Sequence, residues 1–548
     1  MNAGRGVAGL LWLGLLTPLS AASAEPAAGA GESIYLRGVL GSGAPLVGSR
    51  EAGGVATRGA EAACVQCHRR SGLGSKEGAV SAPPITGQYL FHSRAAGHDE
   101  PGLPYIEGAR GNRDPYTDES LARAIRTGLD SQSRPLSYLM PRFALDDEDM
   151  AALIAYLRKL GAQQGRGVSA TLLHFATIVT PEADPQKRRG MLDVLERYFA
   201  DKNTFPFGPS PPMRTSGKTL YSKSMYMANR HWQLHVWELT GPVATWQAQL
   251  QKDLAREPVM AVVSGLGGRH WGPVHAFCER EHVPCLFPNV EVPEVADGDF
   301  YSLYFSGGVL LEAELIARQI RESLKDSPLA SVWQIYRGGD SGEAAAQALA
   351  AALEASGIEV RNEVLDPGPP GRGLQAALRS AAKADALVLW LRPTDVGALG
   401  EAPSGPAAVY LSGLMGGLER APLPLGWRPQ VRMAYPFDLP DRRTVRIDYP
   451  LGWFSVRHIP VVAEQVQVDT YLACGVLAES LSHTADTIQH DYLVERIQEM
   501  LEHRILTGYY PRLTLATGQS FASKGGYLVR FADPAGTRVV ADGDWTVP

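Results

Sequence analysis

Beyond residue 168, short apolar runs alternate with stretches whose apolar residues recur at helical spacing. Ser169 to Val179 predicts a strand, Gln186 to Ala200 an amphipathic helix, and His231 to Leu239 a second strand. A helix over Val243 to Leu254 and a strand over Val259 to Val263 follow. The alternation restarts at Ser331: strand Ser331 to Tyr336, helix Glu343 to Ser356, strand Ile358 to Val364, helix Gly373 to Lys383, strand Ala386 to Leu391. Strand and helix in turn imply a parallel sheet covered by helices. The restart implies two such α/β lobes in tandem. Before residue 165 one stretch has clear helical spacing. Leu153, Ile154, Leu157 and Leu160 share one face of a helix predicted from Met150 to Leu160, and Asp146 to Asp149 stand where the helix dipole favours acids. Gly161 to Gly167 is polar and glycine-rich and reads as a linker.

The first residues follow a different pattern. Arg5 precedes the apolar run Val7 to Leu16, and Ala22-Ser23-Ala24 stands before Glu25. A positive start, a short apolar stretch and small residues at the cut describe a secretory signal peptide over residues 1–24. The run is too short for a permanent bilayer span. The expected organisation is multi-domain: 1–24 signal peptide, 30–165 a helical domain, 168–548 a two-lobed α/β domain. The expected location is the periplasm, with no integral membrane segment in the mature chain.

Composition narrows the function. The 548 residues carry 52 Lys+Arg against 58 Asp+Glu, a net charge of −6, which leaves no basic footprint for nucleic acid. Five cysteines are too few for a disulfide scaffold, so each needs its own account.

Cys64-Val65-Gln66-Cys67-His68 gives that account for two of them. Cys-x-x-Cys-His attaches c-type haem: two thiols on one helical turn add to the haem vinyl groups, and the next imidazole ligates the iron. A zinc site lacks a second ligand pair before Cys278, and no strand precedes the motif as a redox dithiol requires. One covalent haem c is expected, with His68 as proximal ligand.

From here the N-terminal part resembles the class I cytochromes c, an all-α family. Pro83-Pro84-Ile85-Thr86-Gly87 resembles the loop that hydrogen-bonds the proximal histidine, and Tyr116 to Leu121 the start of the middle helix. Met140-Pro141 ahead of Asp149 to Leu157 resembles the distal methionine and closing helix. The resemblance implies His68/Met140 axial ligation and one-electron transfer. His92 and His98 are the competing sixth ligands.

Residues 168–548 resemble the type I periplasmic solute-binding proteins, particularly those for branched-chain amino acids. The likeness rests on Val259 to Gly265 with His282 to Pro288, on Val332 to Tyr336 with Asp340 to Glu343, and on Tyr510 to Phe521 ahead of the strand Gly526 to Phe531. It implies a ligand between the lobes, with Ser264, Asn289 and Glu291 on one side and Ser341, Arg392 and Asp395 on the other. Glu291 departs from the family, because a carboxylate there repels an amino acid's own carboxylate. Cationic or polyhydroxylated ligands, or a protein partner alone, then fit better.

Cys278 and Cys285 are expected to form a disulfide, with two separate buried thiols as the alternative; Cys474 reads as a core thiol. The chain has no Gly-x-Ser-x-Gly, His-Glu-x-x-His or phosphate loop, so no enzyme is expected, and His/Met ligation leaves a haem peroxidase improbable. The sequence reads as an exported cytochrome passing single electrons for a periplasmic dehydrogenase or respiratory chain. Its binding-like half would sense a ligand or dock the redox partner. The alternative is a periplasmic solute-binding protein, of transporter or sensor type, with an accessory haem domain.

Overall fold

The structure, a computed structural model, describes residues 29–50, 54–77, 80–92, 113–162, 165–204, 213–215, 218–220, 230–323, 331–402, 404–482, 488–504 and 508–548. The expected signal peptide and His98 lie outside the described residues. Packing divides the chain into two units, Met1–Cys67 with Gly87–Ser93 and Asn112–Lys159, and His68–Thr86 with Arg94–Gly111 and Leu160–Pro548. The division near Lys159 falls close to the expected joint. The assignment of His68–Thr86 to the second unit was not foreseen.

The first unit is built on the helices Ala30–Arg37, Asp118–Thr127 and Asp147–Lys159. Thr117 and Ser120 form a capping box that opens Asp118–Thr127, and Gly128 closes it in the left-handed conformation. Asp147–Lys159 begins three residues before the predicted Met150 and buries Met150, Leu153, Ile154 and Leu157. The unit also holds an antiparallel sheet of Ala56–Arg58, Val47–Ser49 and Arg142–Phe143, so it is not all-α. Strands of two or three residues are too short to leave an alternation signal.

The second unit contains both α/β lobes. Lobe one has a parallel sheet in the order Ser302–Leu303, Cys285–Leu286, Ala261–Val263, Leu172–Val179, His231–Glu238. In lobe two the parallel strands Glu359–Leu365, Ser331–Arg337, Ala386–Trp390, Ala408–Ser412 and Val431–Tyr435 stand side by side. Tyr527–Phe531 and Val539–Ala541 complete that sheet antiparallel. Just upstream, the same segment stitches to lobe one, where Tyr304 N donates to Ser520 O at 2.8 Å and Ala522 N to Tyr304 O at 2.9 Å. One segment thus finishes both sheets.

Each lobe places its first strand between the second and third, which is the switch point where open α/β sheets leave a crevice at the strand C-termini. The loops after Ala261–Val263, Cys285–Leu286, Ser331–Arg337 and Ala386–Trp390 therefore carry the cleft. The expected linker is packed rather than free. Gly165 N donates to Ile488 O at 2.8 Å. Gly167 has φ +73°, and a Cβ on it would lie 2.4 Å from Met260 N, so only glycine fits.

Candidate haem site and inter-lobe cleft

The short helix Val65–His68 carries Cys67 and His68, with Cys64 at the turn that starts it. Cys64 is half-buried and Cys67 is exposed. Burial pushes the Cys64 thiol up to about 12, so it stays protonated. His68 is buried, and burial lowers its pKa, keeping the imidazole neutral. His68 Nδ1 lies 2.8 Å from Pro83 O. That contact fixes the proton on Nδ1 and leaves Nε2 with the lone pair, the tautomer an iron ligand needs. Two cysteines one helical turn apart and an oriented neutral imidazole fit haem c. When bound, the group supplies a one-electron couple. Met140 is half-buried in a turn of the first unit, its N donating to Ser137 O at 3.0 Å. His92 is exposed.

In the cleft the expected residues separate into three groups. Ser264, at φ +52°, turns inward and is fully buried, its Oγ 2.7 Å from Thr470 Oγ1 on the helix Glu464–Ser482. Asn289 Nδ2 donates to Ser264 Oγ at 3.0 Å, so these two serve each other.

Glu291, Ser341 and Arg392 come together in the second group. Arg392 grips Glu291 with both guanidinium ends, Nη1–Oε1 2.7 Å and Nη2–Oε2 2.6 Å, and Ser341 Oγ donates to Glu291 Oε2 at 2.7 Å. Lys187 Nζ stands 3.5 Å from the same carboxylate. Arg392 also donates to Asp340 from Nε at 2.9 Å and Nη2 at 2.6 Å, and Asp340 caps the helix Ser341–Leu353. Burial works to raise Glu291, but Arg392, Lys187 and Ser341 bring it down to about 2. The two lobes are joined here by an ion pair of their own.

Asp395 forms the third group, away from the pair. It accepts from Arg337 Nε at 2.7 Å and Nη2 at 2.6 Å and from Gly371 N at 2.8 Å, and stays within lobe two. Sequence reasoning missed Thr470, Lys187, Asp340 and Arg337. Asp340 alone carried a signal, as a capping residue one position ahead of Ser341.

The expected disulfide is not formed. Cys278 and Cys285 are buried free thiols, and the hydrogen bond between them, with burial, holds Cys278 well above the usual thiol range. One sits on the helix Gly272–Glu281 and the other on a neighbouring strand, both inside the lobe-one core, where close packing brings them together unbonded. Cys474 is buried as expected. Among the described residues no group of three or more His, Cys, Asp or Glu could hold a metal ion, and no helix is long and apolar enough to cross a membrane.

The described residues comprise a segment with the Cys-x-x-Cys-His motif followed by a two-lobed α/β fold, and comparison with known proteins bears on both. The Cytochrome c family model matches residues 57–161. That segment is a cytochrome c domain. The rest has the type I periplasmic-binding-protein fold. A branched-chain amino acid ABC transporter from Thermus thermophilus with bound valine is 10% identical, with 69% of this chain and 97% of that one covered and a TM-score of 0.51. An ABC transporter substrate-binding protein of Aeropyrum pernix is 12% identical over 69% and 96%, TM-score 0.51. A fatty acid ABC transporter substrate-binding protein from Thermomonospora curvata is 14% identical over 70% and 95%, TM-score 0.50. A search of curated proteins finds no match.

Proposed function

We propose that this is a periplasmic single-haem cytochrome that carries electrons and does no catalysis, its binding-fold half serving to recognise a ligand or a redox partner. The observation that carries the reading is the His68–Pro83 hydrogen bond at 2.8 Å, which orients the imidazole directly after the Cys64–Cys67 pair. Cys64 and Cys67 would hold haem c, with His68 and Met140 as axial ligands of a six-coordinate iron. Such an iron has no open position for oxygen chemistry and favours electron transfer. The alternative, a solute-binding protein with an accessory haem, is disfavoured by the Glu291–Arg392 pair, which already occupies charged groups expected to meet a ligand. Export with cytochrome maturation should yield one haem that resists acidified solvent and cycles reversibly in a potentiometric titration. Haem that extracts, or a couple that binds oxygen or turns over peroxide, would defeat the proposal.

A further inference from the structure

The segment after the haem histidine closes on itself. Gly74 N donates to His68 O at 3.1 Å, Gly72 N to Arg69 O at 3.3 Å, and Ile85 N to Gly72 O at 2.8 Å. With the His68–Pro83 bond, His68 is held at its backbone carbonyl by Gly74 and at its ring by Pro83. Arg69 sits at φ +62°, a left-handed conformation that a side chain other than glycine keeps only when its surroundings impose it.

Glu495, on the helix His490–Leu501 of the same unit, supplies that constraint. Its Oε1 accepts from Arg70 N at 2.7 Å and Ser71 N at 3.0 Å, and its Oε2 from Ser71 Oγ at 2.5 Å. Two successive amides after a left-handed residue form an anion-binding nest, and Glu495 fills it. Ser71 is fully buried, and its Oγ also accepts from Leu73 N at 3.2 Å. Arg69, the left-handed residue of the turn, donates to the Thr517 hydroxyl. Arg70 lies over the rings of Phe300 and Tyr301 at 5.0 and 5.4 Å and 3.7 Å from Asp491, whose carboxylate accepts from the Tyr301 hydroxyl at 2.5 Å.

We infer that Glu495 is a positioning residue for the proximal haem ligand: through the Arg70–Ser71 turn it sets the orientation of His68 and tunes the haem potential. The inference rests on the haem reading above. A carboxylate fixed beside the proximal turn would favour the ferric state of a haem held by His68. Burial pushes the Glu495 carboxyl up to about 7, against the pull of Ser71 and Arg70, so its charge changes in the neutral range.

The test is mediated potentiometry on the full-length holoprotein between pH 5 and 9, with haem content measured alongside. Wild type should show a potential that falls as pH rises through neutrality. Glu495→Gln should raise the potential at alkaline pH and flatten the profile, with haem still attached. Ser71→Ala, which removes one hydrogen bond to the carboxylate, should move the midpoint of the profile to higher pH and keep its amplitude. Should Glu495→Gln fold poorly, the Ser71→Ala midpoint decides alone. An unchanged profile in a haem-loaded variant overturns this inference and leaves the electron-transfer proposal standing; absence of haem from wild type overturns the proposal itself.

Discussion

Replacing Glu291 by Gln removes the charge that joins the lobes while keeping the shape of the side chain. The magnitude follows from the titration. Held at about 2 instead of 4.5, the carboxyl is favoured in its charged form by roughly 3 kcal/mol. Arg392 keeps Asp340 as a partner in the variant, which softens the loss to about 2 kcal/mol. A double-mutant cycle with Arg392→Met, read by urea unfolding at pH 7, should give a coupling of about 1.5–2 kcal/mol. The sign with pH is fixed. The folded pKa lies below the unfolded one, so the stabilisation is fully present above about pH 4.5 and is lost as pH falls towards 2. Wild type and Glu291→Gln should therefore converge in acid, and small-angle scattering should show the variant more open at neutral pH. A coupling below about 0.5 kcal/mol, or a gap that persists at pH 2, refutes the reasoning.

Three further outcomes follow. Met140→Ala should abolish the long-wavelength charge-transfer band of iron–thioether coordination and lower the potential; an unchanged spectrum would transfer the role to His92 or His98. The unfolded holoprotein should titrate three thiols, Cys278, Cys285 and Cys474, whereas a single reactive thiol would restore the disulfide. Burial raises Glu312 to about 8, against hydrogen bonds from Ser412, Leu414 and Gly413, so wild type loses stability as pH climbs from 4.5 to 8. Glu312→Gln should be the more stable protein at pH 8 and equal to wild type near pH 4; a variant less stable at pH 8 would show that the carboxylate is needed there.

Much of this was legible in the residue pattern. The strands and helices beyond residue 168 emerge within a few residues of their predicted ends, because most of them bury an apolar face and turn residues mark their ends. The haem motif was readable because its chemistry is confined to five consecutive positions. The small antiparallel sheet was not, since Gly48 pairs with Thr57 and Phe143 through backbone atoms that composition does not record. The cleft was half-legible. Glu291, Ser341 and Arg392 were singled out separately, but a pattern along one chain cannot show that a carboxylate at 291 finds its counter-ion 101 residues away. Read alone, Glu291 repels a ligand; read with Arg392, it takes a carboxylate ligand's place. The glycines at 161–167 suggested slack and instead mark contacts too close for a side chain.

The segment that finishes both sheets imposes an order on events. Tyr304 and Val431–Tyr435 emerge from the ribosome well before Ser520–Phe531, which pairs with both. Until that stretch arrives, each lobe holds an unpaired strand edge, the kind of surface that recruits other chains. A chain crossing a membrane unfolded would reach the far side in this unfinished form. Premature termination near Gly518 should thus yield aggregate rather than a trimmed, working protein, and a holding chaperone should matter more here than for either half expressed from a sequence with its sheet edges contiguous.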